Sequence, residues 1–238
     1  MGGAQRGGRC GTLAVGITMR HPFRAVLRRI NARRIAYKYR AYTMVPKRAL
    51  IDNLLLAGRV SQLPGCVVEC GVWRGGMTAG IAEILGPDRH YYLFDSFEGL
   101  PPAQEIDGAE AIRWQREGTS PHYHDNCAAE IAFARKTMAM SPATRVTFKQ
   151  GWFQDTLAGL VPAERIAILR LDADWYESTI QCLEALYQYI AVGGLILIDD
   201  YYTWEGCAKA VHDFLSSHKL PDRIRHSASG VCYIFRSV

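Results

Sequence analysis

Five short apolar runs in this chain each end at a carboxylate or next to a glycine, and helical patterns follow most of them. The runs cover residues 67–70, 91–95, 146–150, 166–172 and 195–200. Strands that alternate with helices predict a doubly wound α/β fold, in which a mostly parallel sheet is covered on both faces. Ligands bind such sheets beyond the carboxyl ends of the strands, where the strand order reverses. The polar residues at those ends are therefore the candidates for a functional site.

Two more strands, at residues 223–227 and 231–236, flank a turn near the end of the chain and add one reversed strand, which gives seven strands in all. Residues 98–142 form a long insertion of weak periodicity, which we interpret as partly helical. A glycine pair at 193–194 is expected to stop the helix before the fifth strand. Helices are predicted at residues 21–40, 48–63, 76–85, 176–190 and 205–218.

The positive charge of the chain is concentrated at its start. The formal net charge is +5, yet residues 1–40 hold ten lysines and arginines and no acidic residue, since the first is Asp52. We interpret residues 1–40 as a basic, partly disordered leader and residues 41–238 as the functional domain. A basic arm also fits contact with nucleic acid or a membrane, but no basic patch interleaved with aromatic residues follows it.

Composition disfavours a membrane protein and a secreted protein. No apolar stretch reaches the roughly 20 residues that a membrane-spanning helix needs, and no secretory apolar segment is visible near the start. The seven cysteines are odd in number and scattered, and none forms a CxxC pair. This usage predicts reduced thiols in a cytoplasmic protein, without a disulfide framework or a zinc site.

The first candidate site is the turn after the first strand, VECGVWRGG at residues 68–76. Gly71 and Gly75 let the backbone approach a ligand closely, and Gly76 opens the next helix. The spacing is neither that of the dinucleotide fingerprint nor that of a P-loop, whose lysine is missing. Glu69 would repel a pyrophosphate and suit a cationic amine or sulfonium, which favours S-adenosylmethionine over NAD. An ordinary tight turn is the alternative interpretation.

Asp95, at the end of the second strand, is the second candidate. It follows Glu69 by 26 residues, close to the spacing at which an acidic residue holds the ribose hydroxyls of a bound nucleotide. One carboxylate can accept hydrogen bonds from two vicinal hydroxyl groups. Capping of the segment that follows is the alternative role for this residue.

The third candidate is a group of aspartates at the ends of the fourth and fifth strands. Asp172 and Asp174 follow one strand, and Asp199 and Asp200 end the next. These strands adjoin in the expected topology, so the carboxylates converge and raise one another's pKa unless a cation neutralises them. Oxygen ligands favour Mg²⁺, Mn²⁺ or Ca²⁺ over zinc. Asp174 could instead cap the helix that starts near residue 176.

With these motifs in order, residues 42–235 resemble the TylF/MycF family of metal-dependent sugar O-methyltransferases. The resemblance implies the class I S-adenosylmethionine-dependent methyltransferase fold, a Rossmann-like sheet with N-terminal helices, and residues 98–142 as a lid over the substrate. The family also implies a homodimer. The motifs that carry the resemblance are YTM at 42–44, VECGVWRGG at 68–76, FDSFEGLP at 94–101, GWFQDTL at 151–157, LRLDADWYEST at 169–179 and GGLILIDDY at 193–201.

The resemblance also implies roles for single residues. The methionine part of the cofactor would meet the glycine turn, its ribose would meet Asp95 and Ser96, and its adenine would lie beside Gly151 and Trp152. Thr43 would cover the cofactor from the N-terminal side. The cofactor-binding set is Thr43, Met44, Glu69, Gly71, Val72, Gly75, Asp95, Ser96, Gly151 and Trp152. The metal ligands would be Asp172, Asp199 and Asp200, with Asp172 as the first candidate for the catalytic base and Asp174 as the second.

The function expected from these features is methylation of a sugar hydroxyl on a natural product or glycoconjugate. A bound cation lowers the pKa of the hydroxyl, and a carboxylate takes its proton as the oxygen attacks the sulfonium carbon. The acceptor is then a small sugar or glycoside, and His122 and His124 in the insertion are surface residues or contacts to it. Two alternatives are a catechol or phenolic O-methyltransferase and a non-catalytic nucleotide- or RNA-binding module that uses the basic arm.

Overall fold

The fold is a seven-stranded sheet with helices on both faces. The computed structural model describes residues 21–119, 123 and 125–238, and side chains from residue 24 onward; His122 and His124 lie outside the described residues. The strand order is β3-β2-β1-β4-β5-β7-β6. The strands are β1 (Cys66–Cys70), β2 (His90–Asp95), β3 (Arg145–Gln150), β4 (Ile166–Leu171), β5 (Ile190–Ile198), β6 (Arg225–His226) and β7 (Cys232–Phe235).

Strands β1 to β5 are parallel, and β7 runs antiparallel to β5 and to β6. This arrangement confirms the predicted doubly wound, mostly parallel sheet and its reversed strand. The strand order reverses between β1 and β4, which places the expected ligand cleft at their carboxyl ends. The helices are α1 (His21–Tyr39), α2 (Lys47–Ala57), α3 (Gly76–Leu85), α4 (Ala109–Glu117), α5 (Ile131–Ala139), α6 (Phe153–Thr156), α7 (Tyr176–Leu186) and α8 (Glu205–Ser217).

Alternate strand residues face two separate apolar layers. Val67 and Ile168 pack in the layer that contains α1, α2 and α3, whereas Val68 and Leu169 pack in the layer with α7 and α8. This alternation follows from the two-residue period of a strand, since both faces of a parallel sheet are covered by helices. Whether a residue is odd or even in its strand therefore determines which layer its side chain faces. The same rule determines the direction of the side chains at the strand ends, where the site lies.

The sequence predicted that the glycine pair ends a helix. In the structure the pair lies within strand β5 instead. Helix α7 ends at Leu186, a 3₁₀ turn follows, and β5 already begins at Ile190. Gly193 has φ of +80° and donates its N–H to Arg236 O at 2.7 Å, while the pairing of β5 with β4 shifts register across this region. The glycines thus form a bulge in β5, a position where a strand tolerates a left-handed residue.

Other boundaries also differ from the prediction. The second predicted helix ends at Ala57 and continues as a 3₁₀ turn, and the strand predicted at 223–227 shortens to two residues. The insertion is partly helical, as predicted, since it contains α4 and α5. Helix α6, one turn long, was not predicted, because four residues are too few to show helical periodicity.

Helix α1 belongs to the core over its second half. Ala32, Ile35, Ala36 and Tyr39 are buried against α2 and α3, whereas the side chains from residue 24 to residue 30 are exposed. The division predicted between residues 40 and 41 therefore falls after four core residues, and we place the start of the packed core at Ala32. The disorder is predicted for residues 1–19, which lie outside the described residues.

Two further expectations can be compared with the described part of the chain. There, no helix has both the length and the apolar composition needed to span a bilayer. Its six cysteines are free thiols, and five of them are buried. The burial of these five suits cysteine, which packs as a small apolar residue.

Truncation of a core side chain of α1 should destabilise the protein although the helix is rich in arginine. Ile35 is 3% exposed, and Ile35→Ala should lower the free energy of unfolding by about 2–5 kcal/mol. Ile30 on the same helix is 55% exposed, so Ile30→Ala should change it by about 0.5 kcal/mol or less. Urea denaturation measures both variants, and equal effects would show that α1 is not part of the core.

Candidate active site

A cleft of about 790 Å³ opens at the carboxyl ends of the strands, where the strand order reverses. Its floor comes from the turns that follow β1 to β5, and the first part of the insertion and α7 form its sides. A volume of this size is typical of a site for a cofactor-sized ligand. Residues that line it are Met44, Gly71, Trp73, Asp95, Ser96, Pro101, Asp107, Trp114, Cys127, Gly151, Trp152, Asp172, Asp174, Trp175, Asp199, Asp200 and Trp204.

The glycine turn brings β1 and β4 into contact at this edge. Gly71 has φ of +84°, and a Cβ atom there would lie 1.8 Å from the carbonyl oxygen of Asp172. Glycine is required at this position because any side chain would push the two strand ends apart. The turn that was predicted to bind the cofactor thus also sets the position of the first aspartate of the group.

Asp95 holds this turn in place. Its Oδ2 accepts hydrogen bonds from the backbone N–H groups of Val72 (2.6 Å) and Trp73 (2.8 Å), and its Oδ1 accepts one from Phe97 N (2.6 Å). Burial raises the pKa of Asp95, and the three N–H donors oppose that shift. Trp73 and Phe97 both have positive φ angles, a strain that the surrounding structure maintains. Both lone pairs of Oδ2 are thus used, whereas Oδ1 keeps one that can face a ribose hydroxyl.

Not every predicted cofactor residue lines the cleft. The residues that do are Met44, Gly71, Asp95, Ser96, Gly151 and Trp152, whereas Thr43, Glu69, Val72 and Gly75 lie behind its wall. Thr43 accepts a hydrogen bond from Val45 N at 3.2 Å, and Gly75 packs against Ala134 of the insertion. The Ser96 hydroxyl, although on the cleft, bonds within its own turn to Gly99 O at 3.1 Å.

The Glu69 side chain points away from the cleft and is buried on one face of the sheet. It is 1% exposed, its Oε2 accepts a hydrogen bond from the Thr78 hydroxyl, and its Oε1 lies 2.9 Å from Nη1 of Arg170. Burial raises the pKa of Glu69 to about 7, against the opposing charge of Arg170. From the sequence, this carboxylate was predicted to lie beside a cationic ligand. Its parity in β1, the same as that of Val67, turns it instead towards the α1–α3 layer.

The predicted metal ligands do come together. One carboxylate oxygen from each of Asp172, Asp199 and Asp200 lies within 4.8 Å of the others. Oxygens that bind one hard cation at about 2.0–2.6 Å are at most about 5 Å apart. The donor set, three carboxylates on adjacent strand ends, is one that Mg²⁺, Mn²⁺ or Ca²⁺ prefers. The spacing and the chemistry of these residues therefore fit a divalent cation.

The raised pKa values of the aspartates at this edge of the sheet also fit a divalent cation. The pKa of Asp199 is raised to about 7 and that of Asp174 to about 8, first by burial and then by the charge of Asp172. Burial and the charges of Asp174 and Asp172 also raise the pKa of Asp200. A cation among these carboxylates would favour their ionised forms and lower the pKa values again.

Asp174 does not cap α7. The first N–H group of that helix, on Tyr176, donates instead to Oδ1 of Asp107 at 2.7 Å. Asp174 has φ of +56°, and its Oδ1 accepts a hydrogen bond from the indole N–H of Trp204 at 3.1 Å. The backbone of Asp174 donates to Oδ2 of Asp200 at 3.1 Å. These contacts remove the capping interpretation and leave the Asp174 carboxylate on the cleft.

Several residues of the site were missed by the sequence argument. Trp114 of the insertion, Trp175 and Trp204 form a cluster with ring centroids 5.2–6.3 Å apart, next to the aspartates. Arg170 lies beneath the aspartates, 2.8 Å from Oδ2 of Asp172. The signal for Arg170 was present, since it is a single charged residue within the apolar run IAILRL, two positions before Asp172. The tryptophan cluster gave no such signal, because its members are distant in sequence.

Comparison with protein families decides the identity of the chain. The family model described as macrocin O-methyltransferase (TylF) matches residues 18–236, nearly the whole described chain. The chain belongs to the TylF family of macrocin O-methyltransferases. Membership confirms the predicted family and O-methyltransferase activity, and it supports S-adenosylmethionine as the methyl donor.

Relatives of this TylF-family chain include two O-methyltransferases from actinomycetes. One, from Streptomyces olivaceus, is the 8-demethyl-8-(2,3-dimethoxy-alpha-L-rhamnosyl)-tetracenomycin-C 4'-O-methyltransferase, 36% identical over 196 residues, which are 77% of this chain and 71% of that protein. The other, mycinamicin III 3''-O-methyltransferase from Micromonospora griseorubida, is 32% identical over 193 residues, 77% of this chain and 74% of that protein.

Solved structures of similar proteins confirm the fold. The O-methyltransferase NovP superposes with a TM-score of 0.66 at 29% identity, over 79% of this chain and 81% of that one. The calicheamicin methyltransferase CalS11 superposes with a TM-score of 0.61 at 18% identity, over 97% and 99% of the two chains. The class I methyltransferase fold predicted from the sequence is thus the fold of this family member.

A side chain at Gly71 should separate β1 from β4 and disrupt the cofactor cleft. Gly71→Ala places a methyl group against the Asp172 backbone at positive φ, so we expect a loss of stability above about 3 kcal/mol and no binding of S-adenosylhomocysteine. Gly159 also has positive φ, with nothing within 4 Å of an added Cβ, so Gly159→Ala should cost only about 1–2 kcal/mol. Thermal unfolding and calorimetry measure both variants. Normal binding by Gly71→Ala would contradict this account.

Proposed function

We propose that this chain transfers a methyl group from S-adenosylmethionine to a sugar hydroxyl of a natural product, with a divalent cation at Asp172, Asp199 and Asp200. The observation that carries the proposal is that these three carboxylates open into the same cleft as the glycine turn and Asp95. The relatives support a glycosylated acceptor, since one acts by its name on a rhamnosyl-tetracenomycin.

On the donor side, the cofactor would lie over the ends of β1, β2 and β3. Oδ1 of Asp95 would accept a hydrogen bond from a ribose hydroxyl, and Trp152, just after β3, would lie beside the adenine. Gly71 leaves room for the methionine part above the backbone of the turn. Met44 on the N-terminal segment is 37% exposed and would cover the donor from the opposite side.

On the acceptor side, the aspartate group would hold the cation and the reacting hydroxyl. A divalent cation there supplies a Lewis acid that lowers the pKa of the hydroxyl and a template that orients it. The indole rings of Trp114 and Trp204 line the same side of the cleft. They present flat apolar surfaces to a sugar ring and limit access of water, which favours a reaction in which the sulfonium charge disappears.

Asp174 is the better-placed base. Oδ2 of Asp172, the other candidate, accepts a hydrogen bond from Arg170 at 2.8 Å, and Asp172 also belongs to the converging group. Asp174 stands beside that group, is held by the Trp204 indole, and lines the cleft. We therefore assign the proton transfer to Asp174 and a ligand role to Asp172, which reverses the order of preference from the sequence.

The chemical step is an in-line displacement. The acceptor oxygen forms a bond to the methyl carbon as the carbon–sulfur bond breaks, and the sulfur leaves as the neutral thioether of S-adenosylhomocysteine. The hydroxyl proton passes to the carboxylate of Asp174. The protein accelerates the step by alignment of oxygen, carbon and sulfur, which the contact between β1 and β4 makes possible.

Three features predicted from the sequence stay predictions. These are the homodimer, the cytoplasmic location and the absence of a nucleic-acid partner. The proposed small-molecule acceptor is consistent with all of them. Light scattering of the purified chain measures the oligomeric state directly.

Incubation with S-adenosylmethionine and Mg²⁺ should methylate glycosides in preference to catechols, as judged by mass spectrometry of the products. EDTA should abolish turnover, and added Mg²⁺ or Mn²⁺ should restore it, because Asp172, Asp199 and Asp200 then regain their cation. Binding of S-adenosylhomocysteine should survive EDTA, since the donor lies over different strands. Preferred turnover of catechols would contradict the acceptor class, and full activity in EDTA would contradict the metal requirement.

Asp174→Asn should lower kcat by about 10²–10⁴-fold, since asparagine keeps the shape but cannot take a proton. Binding of the cation and of S-adenosylhomocysteine should remain, because the Asp174 side chain belongs neither to the proposed metal ligands nor to the proposed cofactor-binding residues. Asp155 on α6 is exposed, so Asp155→Asn serves as the matched control and should keep full activity. Normal kcat in Asp174→Asn would return the role of base to Asp172.

A further inference from the structure

The guanidinium of Arg170 lies buried at the point where the two halves of the cleft meet. Arg170 and Glu69 are partners in the register of β4 and β1, and both side chains are 1% exposed. Strand neighbours of the same parity, Val67 and Ile168, are apolar. An apolar pair of similar volume in place of a buried ion pair often gives an equal or more stable protein, so stability alone does not account for this pair.

The contacts of Arg170 are directed at the proposed metal ligands. Its Nη1 donates to Oε1 of Glu69 at 2.9 Å and to Oδ2 of Asp172 at 2.8 Å. Its Nη2 lies 3.1 Å from Oδ1 of Asp199, an ion pair without hydrogen-bond geometry. Each of these two aspartates therefore gives one oxygen to the guanidinium and has a second oxygen with which to bind a cation. The planar fork of arginine, unlike an ammonium group, can hold two carboxylates at a set spacing.

Arg170 is itself held from the opposite side. Glu69, which accepts one of its N–H groups, is bound in turn by the hydroxyl of Thr78 on α3. Thr78 is also 1% exposed. A continuous set of buried contacts thus runs from α3 through Glu69 and Arg170 to Asp172 and Asp199, and it leaves the guanidinium little freedom to move.

We propose that Arg170 is a positioning residue that fixes the spacing of Asp172 and Asp199 and so makes the site discriminate Mg²⁺ from Ca²⁺. This inference rests on the metal requirement proposed above. Mg²⁺ demands near-ideal octahedral geometry at short distances, whereas Ca²⁺ accepts longer and irregular arrangements. Carboxylates that lose their fixed spacing therefore lose Mg²⁺ affinity more than Ca²⁺ affinity.

Arg170→Lys tests the proposal, because lysine keeps the positive charge but lacks the fork. Calorimetric titration of the full chain with Mg²⁺ and then Ca²⁺ should show Mg²⁺ affinity lowered by about 10–100-fold, the effect typical of a lost partner behind a metal ligand. Ca²⁺ affinity should fall by less. The control is Arg165→Lys, where Nη1 contacts Gln188 O at 2.7 Å before β4 begins, and it should change neither affinity.

The outcomes separate this proposal from the metal requirement itself. Unchanged affinities in Arg170→Lys, or an equal loss for both cations, would overturn the positioning role while the wild-type chain still binds metal. A wild-type chain that binds neither cation would overturn the metal requirement and this inference with it. If Arg170→Lys is too unstable alone, saturation with S-adenosylhomocysteine stabilises the folded state, and the same titrations decide the question.

Discussion

The backbone contact between Gly71 and Asp172 is the constraint on which the rest of the site depends. Because a Cβ at Gly71 would lie 1.8 Å from the Asp172 carbonyl oxygen, the ends of β1 and β4 approach each other as closely as the backbone permits. The glycine turn and Asp172 thus follow adjacent strands at the reversal of strand order. The buried pair of Glu69 and Arg170 spans the same two strands two positions earlier, so main-chain and side-chain contacts both join the two halves of the cleft.

Much of this arrangement could be predicted from the sequence, because strand ends in a parallel sheet share one edge. That rule predicts that Asp172, Asp199 and Asp200 lie close together, and the structure confirms that they converge. It also placed Asp95 beside the glycine turn, although the structure adds that Asp95 binds the backbone of Val72 and Trp73. For these residues, their positions at the ends of strands along the chain were sufficient for the prediction.

The residues whose roles differ from expectation depend on contacts that are remote in sequence or on parity. The Glu69 side chain points towards the layer of α1 to α3, because it lies on the same face of β1 as Val67. Asp174 is not a helix cap, because Asp107, which precedes it by a long stretch of chain, takes that role. Helix α1 itself was predicted, but its excess of arginine led to its assignment to a leader outside the domain, although Ala32, Ile35 and Ala36 form a narrow buried stripe.

The cap that Asp107 provides for α7 limits how this enzyme can be recombined. Asp107 lies in the insertion yet completes the first turn of α7, and a Cβ on Gly206, at the start of α8, would lie 2.2 Å from its Oδ1. The indole N–H of Trp175 also bonds back to Pro101 O at 2.8 Å. A chimaera that exchanged the whole insertion would therefore remove contacts that hold the first turns of α7 and α8. Crossover points placed after Gly108 would exchange the outer part of the insertion and leave the helix starts that flank the reacting groups intact.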